Sequence, residues 1–330
     1  MRIVIVGAGG VGGYFGGRLA EAGADVTFLA RGAHLNALRT RGLRLVSPKG
    51  DAHITSVSAT DDPAAIRGAD VVLFAVKLYD AEAAMHLLPQ LVANGAPDAV
   101  VIPLQNGVEG TDIVSRAVGR AHTAGGTCYV SAVIAEPGVI KHTAMDHLIF
   151  GELDPMRAAR PERVEGRLMR LLDTCKPAGF QSTLSADIQA DIWTKFVRLS
   201  VLSGLTTVTR APLGVTVNDP DLLAMLKQAI AEGVAVAHAK GVQVPPSTVD
   251  AVVNAYKALP PQTKSSMLED LERGRRLELP WLSGAVVRIG REVGVPTPIH
   301  GFINAVLKPY VSGAPGEAAS VGQVDGARRL

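Results

Sequence analysis

The chain has only two cysteines in 330 residues. Cys128 and Cys175 are far apart and in no metal-ligand spacing, which argues against a disulfide framework and against a zinc site. A cytoplasmic setting is expected. There is no basic excess either: 33 Lys and Arg face 31 Asp and Glu, a formal net charge of +2, which is not the footprint of a nucleic-acid binder. No uninterrupted apolar run reaches the roughly 18 residues of a membrane span. A buried-strand pattern begins at Met1 to Val6, so neither a leader peptide nor membrane insertion is expected. The histidines show no metal spacing, and His142 and His147, which flank Asp146, read as surface residues. No internal repeat is visible.

What is present is the composition of a globular enzyme, 47% hydrophobic and 19% charged. The length favours two domains. Through the first half, apolar runs of strand length (RIVIVG, ADVTFLA, GADVVLFAV, DAVVIPLQ) alternate with helix-length segments, the pattern of βαβ units in a mostly parallel sheet. GLRLVS and AHITSVSA, separated by Pro48 to Asp51, read as an inserted hairpin. After Gly119 the chain turns β-rich, with a helix over Glu162 to Cys175 and a short strand over Gly179 to Leu184, pieces expected to extend the same sheet. From Ser185 the periodicity is helical, broken at Pro212 to Pro220, Pro245 to Pro246, Pro260 to Pro261 and Pro296 to Pro298. The reading is therefore α/β: a Rossmann-type dinucleotide-binding domain over 1–184, an all-helical domain over 185–310, and a loosely held tail over 311–330.

Gly7, Gly9 and Gly12 form G-x-G-x-x-G directly after the first strand and at the head of a helix. In that context the glycines serve a tight turn, close approach of backbone to a pyrophosphate, and close helix-to-strand packing. Gly10 and Val11 complete the turn, and Gly16 continues a small-residue face. Where an NAD enzyme usually carries an acid at the end of the second strand, this chain has Arg31. A guanidinium fork suits the 2′-phosphate of NADPH. Lys77 and Asn106 stand at the carboxyl ends of later strands, where open α/β sheets bind ligands.

Several motifs together resemble the ketopantoate reductase (2-dehydropantoate 2-reductase) family: GAGGVGG, AVK at Lys77, QNGVE at Asn106, EPGVIKHT, IWTKF at Lys195, and SSMLED followed by GRRLELPWLSG. They run from the first residues to about Pro298. The resemblance implies NADPH-dependent reduction of a 2-keto acid to a 2-hydroxy acid, 2-dehydropantoate to pantoate foremost. It implies Lys195 as general acid and Glu278 as a second essential residue, with Ser266 and Asn106 binding substrate or nicotinamide. An ammonium suits the first role because negative charge builds on the carbonyl oxygen as hydride arrives.

Each residue also has an ordinary reading. Asp191, one turn before Lys195, offers a surface ion pair. Glu278 stands near a helix start at Pro280 and close to Arg275 and Arg276. Ser266-x-x-Glu269 has the form of a capping box. Arg273, Arg275 and Arg276 read as a solvated basic face.

The chain departs from the family one and two turns after Lys195, where Leu199 and Ser203 replace the asparagines that the resemblance places against substrate. Two functions follow as alternatives: a paralogue reducing a less polar keto compound, and a non-catalytic NADPH sensor. Retention of Lys195 and Glu278 counts against the sensor. The 3-hydroxyacid dehydrogenases share the glycine-rich first turn, but GRRLELPWLSG resembles ketopantoate reductases. A homodimer is expected.

Overall fold

The runs RIVIV, VVLF and VVIP are buried along nearly their whole length, as strands of a parallel sheet covered on both faces must be. Strands β1 (Arg2–Val6), β2 (Asp25–Leu29), β3 (Leu43–Val46), β4 (Ala52–Ile54), β5 (Ser58–Thr60), β6 (Val71–Phe74) and β7 (Val100–Pro103) come first along the chain. Five of them form one sheet in the order β5-β2-β1-β6-β7, every pair parallel. This is the order of a dinucleotide-binding sheet, with its switch point between β1 and β6. Helices α1 (Gly10–Glu21), α2 (Gly32–Arg41), α3 (Leu78–Ala84), α4 (Leu88–Ala93) and α5 (Gly110–Val118) supply the crossovers. The computed structural model describes residues 1–153 and 165–314, and it divides into two units, Met1–Phe196 and Val197–Leu330.

Contrary to the expectation from sequence, the β-rich segment after Gly119 does not extend the first sheet. It builds a second sheet. Strands β8 (Gly125–Glu136) and β9 (Val139–Gly151) form a long antiparallel pair. The start of β9 pairs with β3 and its end with β10 (Gln181–Leu184), both in parallel. The expected hairpin is present as β3 and β4, but AHITSVSA is split. Its first half joins the second sheet as β4 and its second half becomes β5 of the first. Helix α6 (Glu165–Cys175) matches the expected helix, and residues 162–164 lie outside those described.

Helix α1 lies between the two sheets, and its glycines make that possible. A Cβ on Gly12 would lie 2.2 Å from the Gly7 carbonyl oxygen, and one on Gly16 would strike Phe28 and Ile5 at 2.6 and 2.7 Å, all belonging to the first sheet and its turn. A Cβ on Gly10 would lie 2.0 Å from the Ala132 carbonyl, on Gly13 2.8 Å from Ile140, and on Gly17 3.0 Å from Leu43, all in the second sheet. Glycine at these five positions lets the α1 backbone approach both sheets, and with Tyr14, Phe15 and Leu19 of α1 one core runs from Ile3, Ile5 and Phe28 to Ile140, Leu148 and Phe150.

Among the described residues the second unit is helical. Helix α7 (Ile188–Thr209) begins in the first unit and continues into the second, where α8 (Leu213–Asn218), α9 (Pro220–Ala239), α10 (Thr248–Lys257), α11 (Ser266–Glu272), α12 (Ser283–Glu292) and α13 (Pro298–Leu307) follow. The expected break from Pro212 to Pro220 contains the short helix α8, and α9 opens with Asp219 as cap and Pro220 at the first helical position. Helix α9 is long and apolar enough by composition to cross a membrane, yet it buries Leu226, Ala229, Ile230 and Ala237 as core. The Glu232 carboxylate of α9 accepts hydrogen bonds from the Ile299 and His300 amides at the start of α13. Burial raises the pKa of Glu232, and burial pushes His300 down to about 4. Of the expected tail, residues 315–330 lie outside those described.

Candidate active site

The glycine turn is built by two close approaches. Gly7 has φ +96°, a conformation open to glycine, and a Cβ there would lie 2.8 Å from the Val76 amide nitrogen, so the loops leaving β1 and β6 touch at the switch point. Gly9 differs. It is the N-cap of α1, it offers no side-chain cap, and a Cβ there would meet nothing within 4 Å. The first turn of α1 carries no acid. The Gly9 position is therefore open at a helix N-terminus, the arrangement that receives a phosphate. Gly10 is required by the second sheet as well as by the turn, and Val11 is half-buried against the core.

Arg31 is exposed and extended immediately before α2, with Gly32 following at φ +56°. Lys77 is exposed at the start of α3, and Asn106 is half-buried in the loop between β7 and α5. The glycine turn, Arg31, Lys77 and Asn106 thus follow the carboxyl ends of β1, β2, β6 and β7 along one edge of the sheet. Next to Asn106, Gln105 is buried with neither amide atom hydrogen-bonded. It lines a cavity with space for about one water, walled also by Gly107, Gly126 and Ile192.

Lys195 is 8% exposed on α7. The ordinary reading, an ion pair with Asp191, is not what is found: the Ser185 hydroxyl donates to Asp191 at 2.5 Å. The Lys195 ammonium lies over the Tyr129 ring of β8, 5.7 Å from its centroid. Burial pushes the neighbouring Cys128 thiol up, and the Lys195 charge offsets only part of that rise. Cys128 and Tyr129 were invisible as site residues in the sequence, because only the second sheet carries them to α7.

In the second unit Leu199 is half-buried and Ser203 fully buried, its hydroxyl without a hydrogen-bond partner. Ser200 and Thr207 share that state on the same helix. Ser266 is exposed as the first residue of α11, and the cap is Ser265, whose hydroxyl accepts from the Leu268 amide at 3.1 Å. The expected capping box is not formed: the cap sits one residue earlier, with Leu268 at the third helical position, which leaves the Ser266 hydroxyl without that competing task. Glu278 is 5% exposed just before a 3-10 turn over Leu279–Trp281, and Pro280 lies in that turn while α12 starts at Ser283. Arg273, Arg275 and Arg276 are exposed, the first two facing Glu269 and Asp270. His142 and Asp146 are not surface residues as expected. His142 is buried, stacked on Tyr14 and bonded to Ser47, and Asp146 pairs with Lys49.

A parallel sheet of this order, a glycine turn opening onto a bare helix N-terminus, and a helical second unit define a dinucleotide-dependent oxidoreductase. Residues 3–155 match the family described as ketopantoate reductase PanE/ApbA, and residues 187–311 match its C-terminal counterpart. The chain belongs to the ketopantoate reductase family, whose members are oxidoreductases acting on CH–OH groups. It is 31% identical to the 2-dehydropantoate 2-reductase of Halobacterium salinarum over 300 residues, 91% of this chain and 95% of that one. A PanE/ApbA family ketopantoate reductase from Ralstonia eutropha JMP134 has the same fold, with a TM-score of 0.81 and 31% identity over 94% of this chain and 98% of that one. D-mandelate dehydrogenase, solved with NADH and anilino(oxo)acetate, matches in fold at a TM-score of 0.81 and 21% identity over 94% and 98%.

Proposed function

We propose that the chain catalyses NADPH-dependent reduction of a 2-keto acid to the 2-hydroxy acid, with 2-dehydropantoate as the leading substrate. The observation that carries the reading is the buried Lys195 on α7, in a chain of this family, with its ammonium turned to an aromatic ring instead of a carboxylate. Gly7, Gly9, Gly10, Val11 and Gly12 would hold the dinucleotide, and the open space at the Gly9 Cβ position fits a pyrophosphate there. Arg31 would take the 2′-phosphate and Lys77 the phosphates, because cationic donors favour that charge. When bound, NADPH supplies a hydride to the carbonyl carbon. Lys195 donates a proton from Nζ to the carbonyl oxygen and regains it from solvent. Asn106 and Ser266 would hydrogen-bond substrate or nicotinamide, and Glu278 would accept a hydrogen bond from a substrate hydroxyl. We expect the protein to work in the cytoplasm as a homodimer.

A second reading concerns substrate alone. Leu199 supplies no hydrogen bond and the Ser203 hydroxyl is fully buried, which favours a keto acid with a more apolar body. A polar group left unpaired against leucine costs about 1 to 3 kcal/mol.

The test is Lys195→Ala. Turnover falls about a hundredfold or more while NADPH affinity is kept, the range for loss of a general acid. Unchanged turnover removes Lys195 from the mechanism.

A further inference from the structure

A lysine that donates a proton from a buried position must be held in place. A buried ammonium needs a partner that fixes where it points. Among the described residues of the first unit, no carboxylate forms an ion pair with Lys195. The contact found there is the face of Tyr129, 5.7 Å from ring centroid to Nζ, within the range in which an aromatic quadrupole attracts an ammonium.

The ring is itself fixed. Tyr129 is half-buried on β8 and packs against the apolar cluster of Ile149, Leu153, Ile188 and Ile192. Ile188 and Ile192 are one turn apart on α7, and Lys195 follows three residues later. That spacing brings all three to one face of the helix. The cluster that includes the two isoleucines thus packs against Tyr129 while the lysine ammonium lies over its ring.

We propose that Tyr129 is a positioning residue for Lys195: its ring, packed against the cluster of Ile149, Leu153, Ile188 and Ile192, holds the ammonium in place for the substrate. The inference rests on Lys195 being the proton donor. What the role requires is the π face, and the hydroxyl is dispensable.

The experiment is a variant set assayed with NADPH and 2-dehydropantoate. Tyr129→Phe keeps the face, and its kcat stays within about twofold. Tyr129→Leu keeps apolar bulk and loses the face; its kcat falls about tenfold, the solvent isotope effect on kcat rises because proton transfer has become slower, and NADPH affinity stays within about twofold. In a Lys195→Ala background Tyr129→Leu has no further effect, since the ring acts through the lysine. Tyr129→Met gives a second faceless variant should the leucine variant not fold, and NADPH binding reports a folded site. A Tyr129→Leu variant with unchanged kcat, a phenylalanine variant as slow as the leucine one, or a further loss in the Lys195→Ala background would each overturn the proposal. If Lys195→Ala alone retains turnover, the parent reading fails with it, whereas a hundredfold loss there with no effect of Tyr129→Leu sinks only the role of the ring.

Discussion

Helices α1 and α7 carry the proposed chemistry, and they are buried by opposite means. Helix α1 fits between two sheets because glycines stand where its backbone approaches them most closely, Gly12 and Gly16 on one side and Gly10, Gly13 and Gly17 on the other, with Tyr14, Phe15 and Leu19 filling the space between. Helix α7 is buried with its side chains in place, among them the cation of Lys195 and the hydroxyls of Ser200, Ser203 and Thr207. The contrast teaches where a sequence discloses its function. A helix that must let backbone approach backbone writes the requirement into its own residues as glycine. A helix that presents a charge takes its meaning from whatever lies opposite.

The sharpest way to break the comparison is to put a side chain on α1. Gly12→Val drives a Cβ to 2.2 Å from the Gly7 carbonyl, where the obstacle is backbone, and thermal or denaturant unfolding should show a loss of about 3 kcal/mol or failure to fold. Retained stability would mean that α1 is not clamped as described.

The second test concerns how the helical unit tolerates buried polar groups. His300 is fully buried with its pKa pushed down to about 4 by burial, so the native state stays unprotonated while the unfolded chain takes up a proton near pH 6.5. Its contribution is complete above about pH 6.5 and is lost as pH falls toward 4, an effect of about 3 kcal/mol for a shift of that size. Glu232 beside it has its pKa raised by burial, so its share runs the other way, present at low pH and lost as pH rises through the native value. A His300→Asn variant should flatten the dependence of unfolding free energy on pH between about 6.5 and 4. An unchanged slope would contradict the buried neutral histidine.

Smaller effects are expected where the site meets the cofactor. Arg31→Ala should weaken NADPH by about 1.5 to 3 kcal/mol, one to two powers of ten, and leave NADH nearly untouched. Equal loss for both cofactors would remove the 2′-phosphate role. Gly9→Ala should be the mildest change in stability, within about 0.5 kcal/mol, because its Cβ meets nothing within 4 Å. It should nonetheless weaken NADPH measurably by titration. Gly9→Ala with full NADPH affinity would show that the open space is not the phosphate site.

How far the sequence was legible follows the same contrast. The glycine turn, the alternation of strands and helices, and Arg31 at the end of β2 could be read directly, because local sterics and charge set them. The second sheet could not. β8, β9 and β10 have ordinary strand patterns, and only the glycines at 10, 13 and 17 show that they cover α1 instead of extending the first sheet. His142 looked like a surface residue for the same reason, since Tyr14 of α1 stacks on it from another element. Ser266 resembled a helix cap because KSSMLE offers two adjacent serines, and the hydrogen bond of Ser265 to Thr206 at 2.8 Å helps choose between them. Tyr129 lay outside the reading because nothing in GGTCYVS points to a lysine 66 positions away in sequence (195 − 129).

The most direct test of the central claim is to follow NADPH oxidation by the purified protein against a panel of 2-keto acids that includes 2-dehydropantoate, alongside NADH. The account predicts turnover with a 2-keto acid, at a catalytic efficiency about ten to a hundred times higher with NADPH than with NADH. Equal efficiency with both cofactors, or no turnover with any 2-keto acid, would contradict it.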